Sequence, residues 1–317
     1  MTMRIGWIGF HVEGVLALRA LLQLEAPVVG VITLSPEAAL RMSGVADLAS
    51  LCRQFGVPKY EVDDINSQRG HDVLRRMDLD LAFVIGWTQM VHLAARSLVR
   101  RGMIGAHASL LPRGRGRAPV NWALIRGQPA TGNSLIWLED AVDGGALIDQ
   151  MPIPISRYDT CASLYAKVAE TNRTMILRVL PRLLSGELPG TPQPAASEPP
   201  LPRRRPADGR LDFTRCADEV YDFVRALTRP YPGAFSWMDG ARWTVWQAAL
   251  VPGDCGGGAE GEVVGPVISP VPEACGQLVR CGRGAVVLLE LEDEQGRILK
   301  GPELSERNWQ GRCWSDG

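Results

Sequence analysis

Four histidines occur in the chain, and one of them stands where its neighbours suggest chemistry. His107 ends the run Met-Ile-Gly-Ala-His and is followed at once by Ala-Ser-Leu-Leu-Pro and then Arg-Gly-Arg-Gly-Arg. A lone histidine is more often structural than catalytic. Here a serine, paired leucines and a proline fix the chain direction just after it, which suits a preorganised side chain. Downstream, "LEDAVDGG" places Asp143 in a loop after a strand that could neighbour the histidine's own. A carboxylate beside an imidazole holds its tautomer and favours proton abstraction, as general-base chemistry requires.

Other candidates are weaker. Arg113, Arg115 and Arg117 in the glycine-rich loop could meet phosphate or carboxylate groups, or simply be solvated. His11, in "GFHVEG", lies at the mouth of the first strand and reads more simply as a turn histidine. His71 and His92 have no partners nearby in sequence and read as surface residues. "GWIGFHVEG" lacks the G-x-G pair that lets backbone approach a pyrophosphate, so it reads as a strand-to-helix turn. No spacing of histidine, cysteine and carboxylate suggests a metal site. Trp237, Trp243 and Trp246 fit barrel core better than a base-stacking platform. Arg203–Arg205 read as the solvated end of a connector.

These residues need elements to hold them. The chain has 317 residues, 46% hydrophobic and 22% charged, which suits two soluble domains. Apolar strands at residues 3–9, "VVGVITL" and "DLDLAFVIGW" alternate with stretches of helical spacing, one of them closed by Gly56. That order predicts an α/β fold with a doubly wound, mostly parallel sheet, whose ligands gather beyond the carboxyl ends of the strands. "MIGAH" delivers His107 to that rim, "TGNSLIWL" adds a strand, and a long helix follows Thr160. Prolines then dominate up to Pro206, and short strands with a D-G turn complete the chain as a small OB-like β-barrel. The expected domains are residues 1–189, a proline-rich linker over 190–206, and 207–317. Glycines in "GDCGGGAEG" suggest a mobile loop in the last. A formal charge of −1 argues against nucleic acid as a partner. Seven cysteines, odd in number and without C-x-x-C, fit a reduced, cytoplasmic protein. No signal peptide or membrane span is expected.

"HASLLPRGRGRAPVNWALIRGQPATGNSLIWLEDAVDGG", with "RRRPADGRLDF" and "RALTRPYPGAFSW", resembles the formyltetrahydrofolate-dependent formyltransferases. The resemblance implies N10-formyltetrahydrofolate as donor and a small-molecule primary amine as acceptor, a nucleotide-linked amino sugar foremost. Methionyl-tRNA is the alternative acceptor, and a homodimer is compatible with the pattern. His107 falls on the family's catalytic histidine and Asp143 on its aspartate. The pterin is implied to bond backbone of Phe83, Val84, Ile85, Gly86 and Trp87, and of Leu138, Glu139, Asp140, Ala141 and Val142, with Ser109 and Leu110 close by. His11, Arg113, Arg115, Arg117 and Asn121 lie where acceptors approach. One departure is clear: Gly105 stands where the family has an asparagine. Losing an oxyanion donor typically costs roughly 2.7–4 kcal/mol. A backbone N–H, an ordered water, protonated His107, Asn121 or Asn133 could substitute. Alternatively the transferred unit differs, for instance a formimidoyl group, or the protein binds folate with weak catalysis.

Overall fold

The computed structural model describes residues 3–253 and 257–315. Asp254, Cys255 and Gly256 of "GDCGGGAEG" lie outside the described residues. The chain forms two compact units. The first comprises Met1–Pro119, Ala130–Pro154 and Leu164–Pro202, and the second Val120–Pro129, Ile155–Ser163 and Arg203–Gly317. Two short segments that precede residue 189 are thus grouped with the C-terminal part, and the proline-rich stretch as far as Pro202 with the N-terminal part.

The first unit is built on seven strands: β1 (Ile5–Ile8), β2 (Val28–Leu34), β3 (Lys59–Val62), β4 (Leu81–Val84), β5 (Met103–His107), β6 (Ala130–Trp137) and β7 (Leu147–Pro154). Their order is β3-β2-β1-β4-β5-β6-β7. Pairing is parallel from β3 to β5, and antiparallel for β5·β6 and β6·β7. Strand alternation sorts the apolar side chains onto two faces. Leu81, Phe83 and Ile85 join Ile5, Trp7 and Ile104 in one core, against the helices at Val15–Gln23, Leu48–Phe55 and Cys161–Leu184. Ala82, Val84 and Met103 face the other core with Val73, Leu74 and Met77 of the helix Gln68–Met77. Gly56, with φ +66°, closes the Leu48–Phe55 helix in the left-handed region that glycine adopts freely.

Across β6 the amide of Asn133 is wholly buried and donates to Asn172 Oδ1 at 2.7 Å and Thr171 Oγ1 at 3.0 Å, tying the sheet to the long helix. "VHLAARSLVRRG" forms only a four-residue helix, Leu93–Arg96, where a longer one is expected from its spacing.

The second unit is antiparallel in all its strand pairs: β8 (Ala234–Met238), β9 (Ala241–Leu250), β10 (Val263–Val267), β11 (Gly276–Arg280), β12 (Ala285–Glu292), β13 (Ile298–Lys300) and β14 (Trp314–Ser315). Asp239 and Gly240, both at positive φ, make the two-residue turn between β8 and β9. The end of the path returns to its beginning. Val263 N–H donates to Arg312 O at 2.8 Å and Trp314 N–H to Gly261 O at 2.9 Å, so the sheet curls back on itself. Trp237, Trp243 and Trp246 are only partly buried, which corrects their placement as core. Trp246 Nε1 donates to Glu292 Oε2 at 2.8 Å, and the Arg229 guanidinium stacks 4.0 Å above its ring.

Candidate active site

β5 lies in the sheet between β4 and β6 and ends at His107, on the carboxyl rim shared with β1 and β4. The turn after it is pinned from several sides. Ser109 Oγ donates to Arg113 O at 2.8 Å. Ser134 Oγ, on the strand residue paired with His107, donates to Ser109 O at 2.6 Å. Gln150 Nε2 reaches Leu111 O at 3.0 Å and Ser134 Oγ at 2.8 Å. The chain then reverses through Gly114 and Gly116, with φ of +67° and +110°. A side chain at Gly116 would collide with the Leu201 backbone, which pairs with Arg115 O and Arg117 N–H at 2.7 and 2.9 Å.

This loop lies against His107 and Asp143 together. His107 Nδ1 is 3.5 Å from Asp143 Oδ1, and His107 Nε2 is 2.8 Å from Gly114 O. Gly116 N–H donates to Asp143 Oδ2 at 2.8 Å. His107 is buried and Asp143 largely so. Both ring nitrogens therefore face acceptors. A neutral imidazole carries one N–H and can satisfy only one of them at a time. For Nε2 to take a proton from an incoming group, the Gly114 carbonyl must be displaced. Asp143 has φ +50°, a conformation uncommon for a residue with a side chain.

The strand expected to hold a pterin, Phe83–Trp87, is apolar and fully engaged on the side of the sheet. Phe83 and Ile85 are in the core, Ile85 N–H bonds Ile8 O, and Gly86 O accepts from Phe10 N–H. Gly86 turns the chain outward at φ +66°, and Trp87 Nε1 is buried with no partner among the described residues. In the second segment Leu138 N–H is taken by Met103 O, and Leu138 O by Arg96. Arg96 also pairs with Asp140. Glu139 accepts from Ala146 N–H. Within the described residues, the N–H groups of Asp140, Ala141 and Val142 have no protein acceptor, and Val142 is half exposed. Leu110 packs against Gly132.

Gly105 shares a face of β5 with His107. A β-carbon built there would lie 2.6 Å from Leu138 Cδ2, so the end of the Leu138 side chain must shift to admit an asparagine. The side-chain amides of the two asparagines named as substitutes have partners of their own. Asn133 is committed to the long helix on the opposite face. Asn121 belongs to the second unit, where its amide donates to Ala226 O at 2.7 Å.

Arg113 is exposed, Arg115 donates to Gln193 Oε1 at 2.7 Å, and Arg117 donates to Thr88 O at 2.8 Å. His11 Nδ1 accepts from Glu13 N–H at 3.4 Å and caps a short 3₁₀ turn, with Tyr165 against its ring at 4.7 Å. His71 is partly buried rather than on the open surface, and His92 is exposed. Nothing in residue type or spacing marks Arg96, Gln150, Gln193 or Leu201 as neighbours of this site. Gln193 and Leu201 lie in proline-rich sequence whose composition signals only a connector.

The family model described as "Formyl transferase" matches residues 15–180, and "Formyl transferase, C-terminal domain" matches residues 204–308. The chain belongs to the formyl transferase family. Its fold is also that of several solved structures. HypX from Aquifex aeolicus in complex with tetrahydrofolic acid matches 95% of this chain at 19% identity and a TM-score of 0.63. The N-formyltransferase from Helicobacter canadensis, in complex with folinic acid and dTDP-3-aminofucose, matches 90% of this chain and 99% of its own at 14% identity and a TM-score of 0.64. WlaRD, a sugar 3N-formyltransferase, matches 91% of this chain and 98% of its own at 14% identity and a TM-score of 0.63. The chain spans about half the length of the HypX structures it matches, 46% in the tetrahydrofolic acid complex. Within the described residues no helix is long and apolar enough to cross a membrane, and no cluster of three His, Cys, Asp or Glu could hold a metal ion.

Proposed function

We propose that this chain moves a formyl group from N10-formyltetrahydrofolate to a primary amine of a small molecule, a nucleotide-linked amino sugar being the leading acceptor. The observation that carries the proposal is the pairing of buried His107 with partly buried Asp143 on the carboxyl rim of a formyl transferase sheet. In this reading the free N–H groups of Asp140, Ala141 and Val142 and the Trp87 indole hold the pterin head. His107 Nε2 exchanges the Gly114 carbonyl for the attacking amine. It takes the amine's proton as nitrogen bonds to the formyl carbon, and that proton leaves on the departing N10. Asp143 stabilises the imidazolium between the two transfers. The acceptor assignment is supported by the dTDP-3-aminofucose held by the Helicobacter canadensis enzyme. A net charge of −1 disfavours methionyl-tRNA, whose binding draws on counterion release from a basic surface. The curled second unit fits an OB-like barrel, and the setting is taken to be cytoplasmic.

One observation favours a second reading. Gly105 carries no side chain where the family has an asparagine, so the site lacks that donor, and folate binding with weak transfer would follow. Tetrahydrofolate release across a panel of amines separates the two. His107→Ala should lower turnover by about 10²–10⁴-fold, the usual worth of general-base catalysis, with folate affinity within a few fold. Turnover that survives His107→Ala would remove the base assignment, and tight folate binding without turnover on any amine would favour the second reading.

A further inference from the structure

Gln193 sits in the proline-rich stretch after the long helix, and its amide makes three hydrogen bonds. Nε2 donates to Asp143 O at 2.9 Å and to Gly145 O at 2.7 Å, while Oε1 accepts from Arg115 at 2.7 Å. A glutamine carries two N–H hydrogens and one carbonyl oxygen, and here each has a partner. Asp143 is held at φ +50°, which a non-glycine residue keeps only where its surroundings over-determine it. The bonds on Asp143 O and Gly145 O fix the peptide planes that follow the acid. The bond from Arg115 ties the same amide to the loop whose Gly114 and Gly116 touch His107 and Asp143.

We infer that Gln193 is a positioning residue, which sets the orientation of the Asp143 carboxylate toward His107 by clamping the backbone on the acid's carboxyl side. The inference rests on the proposed transfer chemistry only for its kinetic consequence. Gln193 touches neither the base nor the carboxylate itself, so its effect reaches the reaction through the Asp143 backbone and the loop that carries Gly114 and Gly116. At metal sites, loss of an outer partner that orients a ligand typically costs about 10–100-fold, and a loss of the same order is expected here. Removing the acid of a triad outright costs more, on the order of 10⁴.

Two variants separate positioning from simple tethering. Gln193→Ala removes every contact. Gln193→Glu keeps the length and the Arg115 partner, and so the tether, but loses both donors to the carbonyls. Positioning predicts that kcat falls about 10–100-fold in both, with KM for the formyl donor within about threefold. Tethering predicts that Gln193→Glu recovers wild-type kcat. A second readout needs no turnover. With four histidines in the chain, the imidazole proton resonances can be assigned by single substitutions and followed by NMR. Both Gln193 variants should shift the His107 resonance while leaving those of His71 and His92 unmoved.

The inference is overturned if Gln193→Glu restores kcat, or if the His107 resonance is unchanged in Gln193→Ala. If the wild type turns over no amine, the functional proposal fails, and the His107 resonance alone decides the role of Gln193.

Discussion

Replacing Gly105 by asparagine tests how this site differs from its family's pattern. Gly105 lies in a strand at ordinary φ, so the backbone itself accepts a side chain there. The obstacle is Leu138, whose Cδ2 lies 2.6 Å from the new β-carbon, well inside carbon–carbon contact. Because the atom met is the end of a flexible, partly buried side chain that can turn aside, the crowding should cost toward the lower end of the roughly 1–3 kcal/mol of overpacking. In a domain of this size that is roughly 2–4 °C of Tm for each kcal/mol. Leu138→Ala alone removes a partly buried leucine and costs toward the lower end of the roughly 2–5 kcal/mol seen for such truncations. The double variant should be more stable than the two single losses added together, by a coupling of about 1–2 kcal/mol, because alanine leaves room for the carboxamide. It should also regain an oxyanion donor, raising kcat by up to about 10²–10³-fold. Thermal melts of the four proteins and single-turnover formyl transfer measure both effects. The steric argument fails if Gly105→Asn is as stable as the parent. The donor argument fails if the double variant is stable, binds folate and gains no rate.

Two further outcomes follow from the charges and thiols. Asp80 is held below the ordinary aspartate value of 3.8, first by the Arg100 side chain at 2.7 Å and then by the Arg4 N–H at 2.8 Å. Its stabilising contribution is therefore complete above 3.8 and is lost as pH falls through the depressed folded value. Asp80→Asn should lower Tm modestly at neutral pH, with the gap closing below pH 3.8; a gap that persists at acid pH would contradict this. Burial pushes the Cys161 thiol up to about 12, and its Sγ lies 2.9 Å from Thr228 O. Alkylation at pH 8 should mark exposed Cys313 quickly and Cys161 only on unfolding, and rapid native labelling of Cys161 would show that this region opens locally.

Much of the scaffold could be read from residue pattern because burial on both faces leaves long apolar runs. "VVGVITL" and "DLDLAFVIGW" announce β2 and β4 in that way, and "MIGAH" announces β5. The edges escaped for the same physical reason. β3, "KYEV", is mostly half-buried, and β7, "LIDQMPIP", carries prolines that an edge strand tolerates, so neither shows a run. The helix "QRGHDVLRRM" has so many charged residues that its buried Val73, Leu74 and Met77 are hard to see in one dimension. At the site, His107 and Asp143 stand out by residue type and come together 36 positions apart. Gln193 could not be seen. Its role comes from three bonds to backbone and arginine partners, and backbone partners leave no mark in composition.

The pairing of Leu201 with residues 115–117 also bears on how this protein could be recombined with others. A chimera that exchanges the C-terminal part at the end of the long helix would import a foreign segment in place of Gln193 and Leu201. Such a graft would strip the arginine loop of its backing even though every residue of the donor sheet were kept. The natural splice point therefore lies after Pro202, where the first unit ends, and not at the start of the prolines.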